Sequence, residues 1–207
     1  MRKLCFLMAA LLLGSIVTTH SAPLNTDKDE RNFTGNIMLN LGSKILKKSD
    51  WDILNKHIET GILFDISARE WPVYVEVGYA GSEDTALSLF GPENRATTKE
   101  FIVGAKKIWN PANRFNVFLG GGLASISASI DVVTRDGVTG WPAVTTRVVT
   151  DKDRSTGIYM TTGFYWTFFG WMNMGYRLSY SKADVTLFGE KRDAGGIHHG
   201  LLAGVSW

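Results

Sequence analysis

Ser43 and His199 are residue types that suit a nucleophile and its activating base, since a serine hydroxyl attacks only when a neighbouring imidazole takes its proton. The pair is incomplete. No carboxylate placed to orient the imidazole is evident, and the His-x-Ser pattern is absent from the chain. A histidine beside a loop serine is the plainer reading. His57 and His198 are metal-ligand types, but the pattern supplies no third ligand, so both are expected to hydrogen-bond locally. A further set is charged or carries an amide: Asn36, Asn40, Glu59, Asp65, Glu76, Glu100, Lys106 and Arg177. Both signs in one enclosed space either line an ion path or pair as salt bridges. Pairing is favoured, because an unpaired buried charge is very costly.

Alternation in hydropathy places these residues on strands. In HIETGILFDIS, Ile58, Thr60, Ile62, Phe64 and Ile66 alternate with Glu59, Gly61, Leu63, Asp65 and Ser67, the period of two of a strand. The same alternation runs through WPVYVEVGYAGS, EFIVGAKKIW, MNMGYRLSY and IHHGLLAGVSW. Eight strands are expected, beginning near residues 33, 57, 71, 97, 114, 156, 171 and 196. Short links (ARE, NPAN, FFGW) alternate with long ones around KKSDWDILNK, EDTALSLFGPENRAT, Trp141 and GEKRDAG. In an antiparallel meander this gathers every long loop at one end, with the longest, from about Val133 to Ser155, expected to be mobile and to be flanked by strands that extend further than the rest.

Two kinds of barrel fit such a meander, and they differ in which face carries the apolar residues. The less apolar face is rich in glycine (Gly61, Gly78, Gly104, Gly120, Gly122, Gly163, Gly175, Gly200, Gly204), which suits a narrow interior of limited volume. The apolar face ends in bulky aromatics, Phe33, Trp71, Trp109, Phe115, Phe168 and Trp207, expected to form a girdle at a lipid interface. The expected fold is therefore all-β, an eight-stranded antiparallel up-and-down transmembrane β-barrel. On this register His199 and Ser43 face lipid on neighbouring strands, roughly 20 to 25 Å above the end that carries the termini, and Ser43 lies where strand one gives way to its loop.

Arg2 and Lys3 precede the apolar run LCFLMAALLLGSIV and then the small, polar TTHSA, the order of an export signal. Residues 1–22 are expected to be removed, leaving 23–207 as the barrel. Cys5 is the only cysteine and leaves with the signal, so neither a disulfide framework nor a cysteine metal site is expected. Without Arg2 and Lys3 the basic and acidic residues balance, which gives no footprint for nucleic acid.

The signal, the alternating strands, the loop asymmetry and the last strand GLLAGVSW together resemble the small outer-membrane β-barrel superfamily typified by OmpX and the OmpA transmembrane domain. The resemblance spans the mature chain. It implies an outer membrane in a Gram-negative bacterium, periplasmic termini, contact with outer-membrane lipids and lipopolysaccharide, and a final strand read by the barrel assembly machinery. It implies no cofactor and no single activity. A monomer with a structural or surface-interaction role is expected. A lipid A modifying hydrolase using Ser43 and His199 is the alternative, and a narrow pore the third reading. Lys44, Lys47 and Lys48 are expected near the outer surface, facing lipid phosphates or solvent, and Asp50 and Trp51 are expected to anchor the first long loop on the rim.

Overall fold

A computed structural model describes residues 32–52, 54–86, 94–136 and 145–207. Eight long strands form a closed antiparallel barrel: β1 (Phe33–Ile45), β2 (Lys56–Ala68), β3 (Tyr74–Ala86), β4 (Asn94–Ala112), β5 (Phe115–Asp136), β6 (Thr145–Phe168), β7 (Met172–Lys182) and β10 (Gly196–Ser206). Each strand pairs with its neighbour in sequence, apart from a two-stranded hairpin between β7 and β10, and β1 pairs with β10 to close the ring. The register follows the pleat. On β2, His57, Glu59, Leu63, Asp65 and Ser67 are buried while Ile58, Ile62 and Phe64 are exposed. A one-residue slip would exchange the two sets, so the polarity pattern itself specifies the pairing.

The structure departs from the expected boundaries in three places. Strand three starts at Tyr74 and not at residue 71, with Trp71 and Pro72 in the turn that precedes it. Strand six starts at Thr145 and not at residue 156, and pairs with β5 from Phe115↔Trp166 to Asp136↔Thr145. The segment expected as a loop from about Val133 to Ser155 is therefore mostly ladder, and the strands flanking it do extend. Its Thr- and Asp-rich composition reads as loop, but the partner strand satisfies its backbone. Trp141 and the expected export signal, residues 1–22, lie outside the described residues.

The third departure is GEKRDAG. Part of it belongs to a small hairpin, β8 (Asp184–Leu187) and β9 (Glu190–Asp193). Its two-residue turn is Phe188-Gly189, with φ of 52° and 78°. Both central residues of a type I′ turn need positive φ, which glycine adopts freely and phenylalanine does not. A one-turn helix, α1 (Lys48–Trp51), occupies the link between β1 and β2.

These additions give the barrel two kinds of interior. Between the termini end and mid-height it mixes charged and amide side chains and glycines with a few buried apolar ones, Met38, Leu63, Ile102, Phe118 and Leu202. At Gly104 an added Cβ would lie 2.3 Å from the Gly121 carbonyl and 2.5 Å from the Tyr159 hydroxyl, so only glycine lets the walls approach. At the far end the interior becomes apolar. Leu46, Trp51, Leu54, Val185, Leu187, Ala194, Ile126 and Ile130 are all buried there.

Candidate functional site

The lumen is built by parity: each strand contributes alternate side chains to one enclosed column, and the column is layered. In the layer nearer the termini, Lys106 Nζ lies 2.6 Å from Asp65 and 3.7 Å from Glu76, and 4.9 Å above the Phe118 ring. Arg177 reaches Glu76 at 3.8 Å and donates through Nε to Thr161 at 2.9 Å. The Tyr159 hydroxyl donates to the other oxygen of Glu76. Below them Asn173 donates to Asn36 at 3.1 Å.

The upper layer centres on His198. Its Nδ1 contacts Glu59 Oε2 at 2.5 Å, and its Nε2 lies 3.5 Å from Glu100 and 2.9 Å from the Ser181 hydroxyl. Asn40 donates to the second Glu59 oxygen. His57 is buried beside the Ser82 hydroxyl and the Leu54 carbonyl, 3.1 and 3.2 Å away. Every residue expected to face the lumen is thus buried: Asn36, Asn40, Glu59, Asp65, Glu76, Glu100, Lys106 and Arg177.

Lys44 corrects the sequence reading. The sequence places it near the outer surface with Lys47 and Lys48, but it is completely buried and reaches Glu100 at 3.3 Å and Thr98 at 3.2 Å. The physical reason is that β1 continues through Ile45, so parity turns Lys44 inward. Ser43 likewise sits within the strand and not where it gives way to its loop. Lys47 and Lys48 remain exposed. Among the described residues the lumen then holds four carboxylates, Glu59, Asp65, Glu76 and Glu100, against Lys44, Lys106, Arg177 and two histidines. A cavity of about 20 Å³ among Asn40, Glu59, Glu100, Arg177 and His198 has room for about one water.

Above the lumen the far end is capped. Asp151 and Asp153 on β6 accept backbone N–H groups of the hairpin, from Phe188 at 2.5 Å and Thr186 at 2.6 Å. Trp51 Nε1 donates to the Asp193 carbonyl at 2.7 Å, and Asp193 N–H donates to Asp50 at 3.1 Å. Asp50 and Trp51 therefore tie α1 to the hairpin. Hydrogen bonding holds both acids below the ordinary carboxylate range: at Asp153 the Thr186 and Arg154 amides, at Asp50 chiefly the Ser49 hydroxyl and then the Asp193 amide. The sequence reading missed the hairpin. Its signal is faint but present, in the alternation of Val185 and Leu187 before Phe-Gly.

Ser43 and His199 are direct cross-strand partners on β1 and β10. Among the described residues, however, no hydrogen bond joins them, and the nearest aromatic neighbour of His199 is Tyr176, with ring centroids 6.5 Å apart. No three His, Cys, Asp or Glu side chains are grouped to hold a metal ion among the described residues.

The exterior carries the opposite chemistry. Leu41, Ile58, Leu119, Leu123, Ile158, Met160 and Leu201 are exposed around the wall. Phe33, Trp71, Trp109, Phe168 and Trp207 are exposed and Phe115 half-buried. Trp207 packs beside Phe64 at 5.8 Å, and Phe115 beside Trp166 at 4.4 Å. Among the described residues no helix is long and apolar enough to cross a membrane, a statement that leaves strands untouched.

A closed eight-stranded up-and-down barrel, polar within and apolar without, is the architecture of the small outer-membrane β-barrels of the OmpX and OmpA type. Comparison with solved structures gives the same fold. The attachment invasion locus protein Ail of Yersinia pestis, in complex with the heparin analogue sucrose octasulfate, is similar with a TM-score of 0.54 at 12% identity, over 86% of this chain and 100% of that one. Neisserial surface protein A is similar with a TM-score of 0.53 at 11% identity, over 85% of this chain and 96% of that one. No family model matches the chain, and no curated protein matches it in sequence.

Proposed function

We propose that this protein is a closed barrel of a Gram-negative outer membrane with a structural or surface-interaction role and no open channel. The observation that carries this reading is the inversion of polarity. A water-soluble domain rarely exposes a contiguous apolar patch of more than a few hundred Å², whereas leucines, isoleucines and aromatics clothe this wall on every side and ion pairs fill its centre. The short connections lie at the end that carries Phe33 and Trp207, which argues for periplasmic termini and outward-facing long connections. On the same reading, residues 1–22 direct export and are removed. The barrel closes within a single chain, so a monomer suffices. Its partners are outer-membrane lipids, lipopolysaccharide and, during insertion, the barrel assembly machinery, which recognises the last strand.

Two features argue against a pore: eight strands leave an interior that side chains can fill, and the hairpin and α1 lie over the far end. Lipid A hydrolysis is weaker still, since Ser43 and His199 share no hydrogen bond and no carboxylate is bonded to His199 among the described residues. Two measurements separate these readings. Lipid A mass profiles and the permeability of reconstituted vesicles are expected to be the same with and without the protein. Loss of acyl chains, reversed by His199→Ala or Ser43→Ala, would establish the hydrolase, and solute leakage would establish the pore.

A further inference from the structure

The strands that project furthest sort their charges by face. On β6, TDKDRS places Asp151 and Asp153 inward, where they hold the hairpin, and Lys152 and Arg154 outward and exposed. On β4, Glu100 is buried and Lys99 exposed. The register aligns these cations. Lys99, Ser127 and Arg154 form one cross-strand row over β4, β5 and β6, and Thr97, Ser129 and Lys152 form the row beyond it. Toward the barrel the next rows are Phe101, Ser125 and Thr156, then Val103, Leu123 and Ile158, the last three all exposed.

This wall therefore grades from bare hydrocarbon through hydroxyls to cations within a few residues. Lys99 and Arg154 stand two strand spacings apart, roughly 10 Å, a gap that two long side chains close over the intervening Ser127. The Arg154 guanidinium already reaches Ser125 Oγ at 2.9 Å. Among the described residues no carboxylate lies within ion-pair distance of Lys99, Lys152 or Arg154, while the nearby anions are engaged: Glu83 by Arg95 and Asp131 by the Thr150 hydroxyl. Phosphate is a strong acceptor for such donors.

We infer that the outer wall of β4, β5 and β6 is a binding site for the phosphorylated headgroup of an outer-leaflet glycolipid, with Lys99 and Arg154 as its anion contacts. The acyl chains lie along Phe101, Leu123 and Ile158, and the β5 serines Ser125 and Ser127 meet the sugar hydroxyls. The inference rests on the reading of the chain as an outer-membrane barrel.

The test refolds the protein into phosphatidylcholine vesicles alone, with bisphosphorylated lipid A, or with lipid A whose phosphates have been removed, and measures the temperature at which the compact gel band converts to the unfolded one. The expected result is a rise with phosphorylated lipid A only, lost in Lys99→Gln/Arg154→Gln and kept in Lys191→Gln, which changes a cation on the hairpin. The double variant should still give a compact band in phosphatidylcholine. A rise that persists in the double variant, or that dephosphorylated lipid A matches, overturns the site and leaves the barrel intact. No compact band in any vesicle, for wild type or variants, overturns the barrel reading and the site with it.

Discussion

Lys106 faces two carboxylates at once, Asp65 and Glu76, where water is excluded. Removing one partner of a buried ion pair leaves a charge uncompensated, at a cost of about 3 to 5 kcal/mol. Lys106→Ala is therefore expected to lower the unfolding midpoint in detergent or vesicles by an amount of that order. Lys191→Ala, which breaks only an exposed, solvent-screened pair with Asp184, is expected to leave the midpoint nearly unchanged. Equal midpoints for the two variants would contradict the lumen assignment. The inward set from Asn36 to Arg177 was legible because alternation in a strand fixes a residue's face before any contact is known. Lys44 was not. Gly42, Ser43 and Lys44 have loop-like composition, and only the pairing of Ile45 with Ile197 and Lys56 shows that the strand, and its parity, continue past them.

At the scale of elements, the cap over the far end depends on acids that accept backbone N–H groups. Asp153 is held below its ordinary value by the Thr186 and Arg154 amides, and Asp50 chiefly by the Ser49 hydroxyl and then by the Asp193 amide. A depressed carboxyl favours the docked state wherever the acid is ionised in both states, so the contribution is full above about pH 4, the ordinary aspartate value. It declines as the pH falls through the lowered values. Amide hydrogen exchange in residues 184–193 is expected to be slow at neutral pH and to accelerate, relative to barrel amides, under strong acid. Asp151→Asn/Asp153→Asn should show that faster exchange already at neutral pH, while the compact gel band is retained. Exchange unchanged by the double substitution would mean that the apolar contacts of Val185 and Leu187 alone hold the hairpin. This element escaped the sequence reading because four-residue strands carry too little periodicity to register, and because what stabilises them is contact with β6 and α1, distant in sequence. The extension of β5 and β6 escaped for a related reason: TDKDRS alternates in sign of charge and not in hydropathy, so a test for apolar periodicity passes over it.

For the molecule as a whole, the sequence carried the architecture and the structure supplied the ends. Strand number, face assignment and the clustering of short connections all follow from period-two alternation and turn length, and the aromatic positions from Phe33 to Trp207 follow with them. The cap and the graded outer wall arise only when distant strands are set in register. The central claim is that the chain spans a membrane as a closed barrel. Its most direct test is the gel migration, with and without heating, of the protein extracted from fractionated outer membranes. Recovery in that fraction is expected, with a compact, faster band in the unheated sample that shifts to full-length mobility on boiling, since a ladder without free edges resists detergent until heated. Recovery in the soluble periplasmic fraction, or one band unaffected by heat, would contradict it.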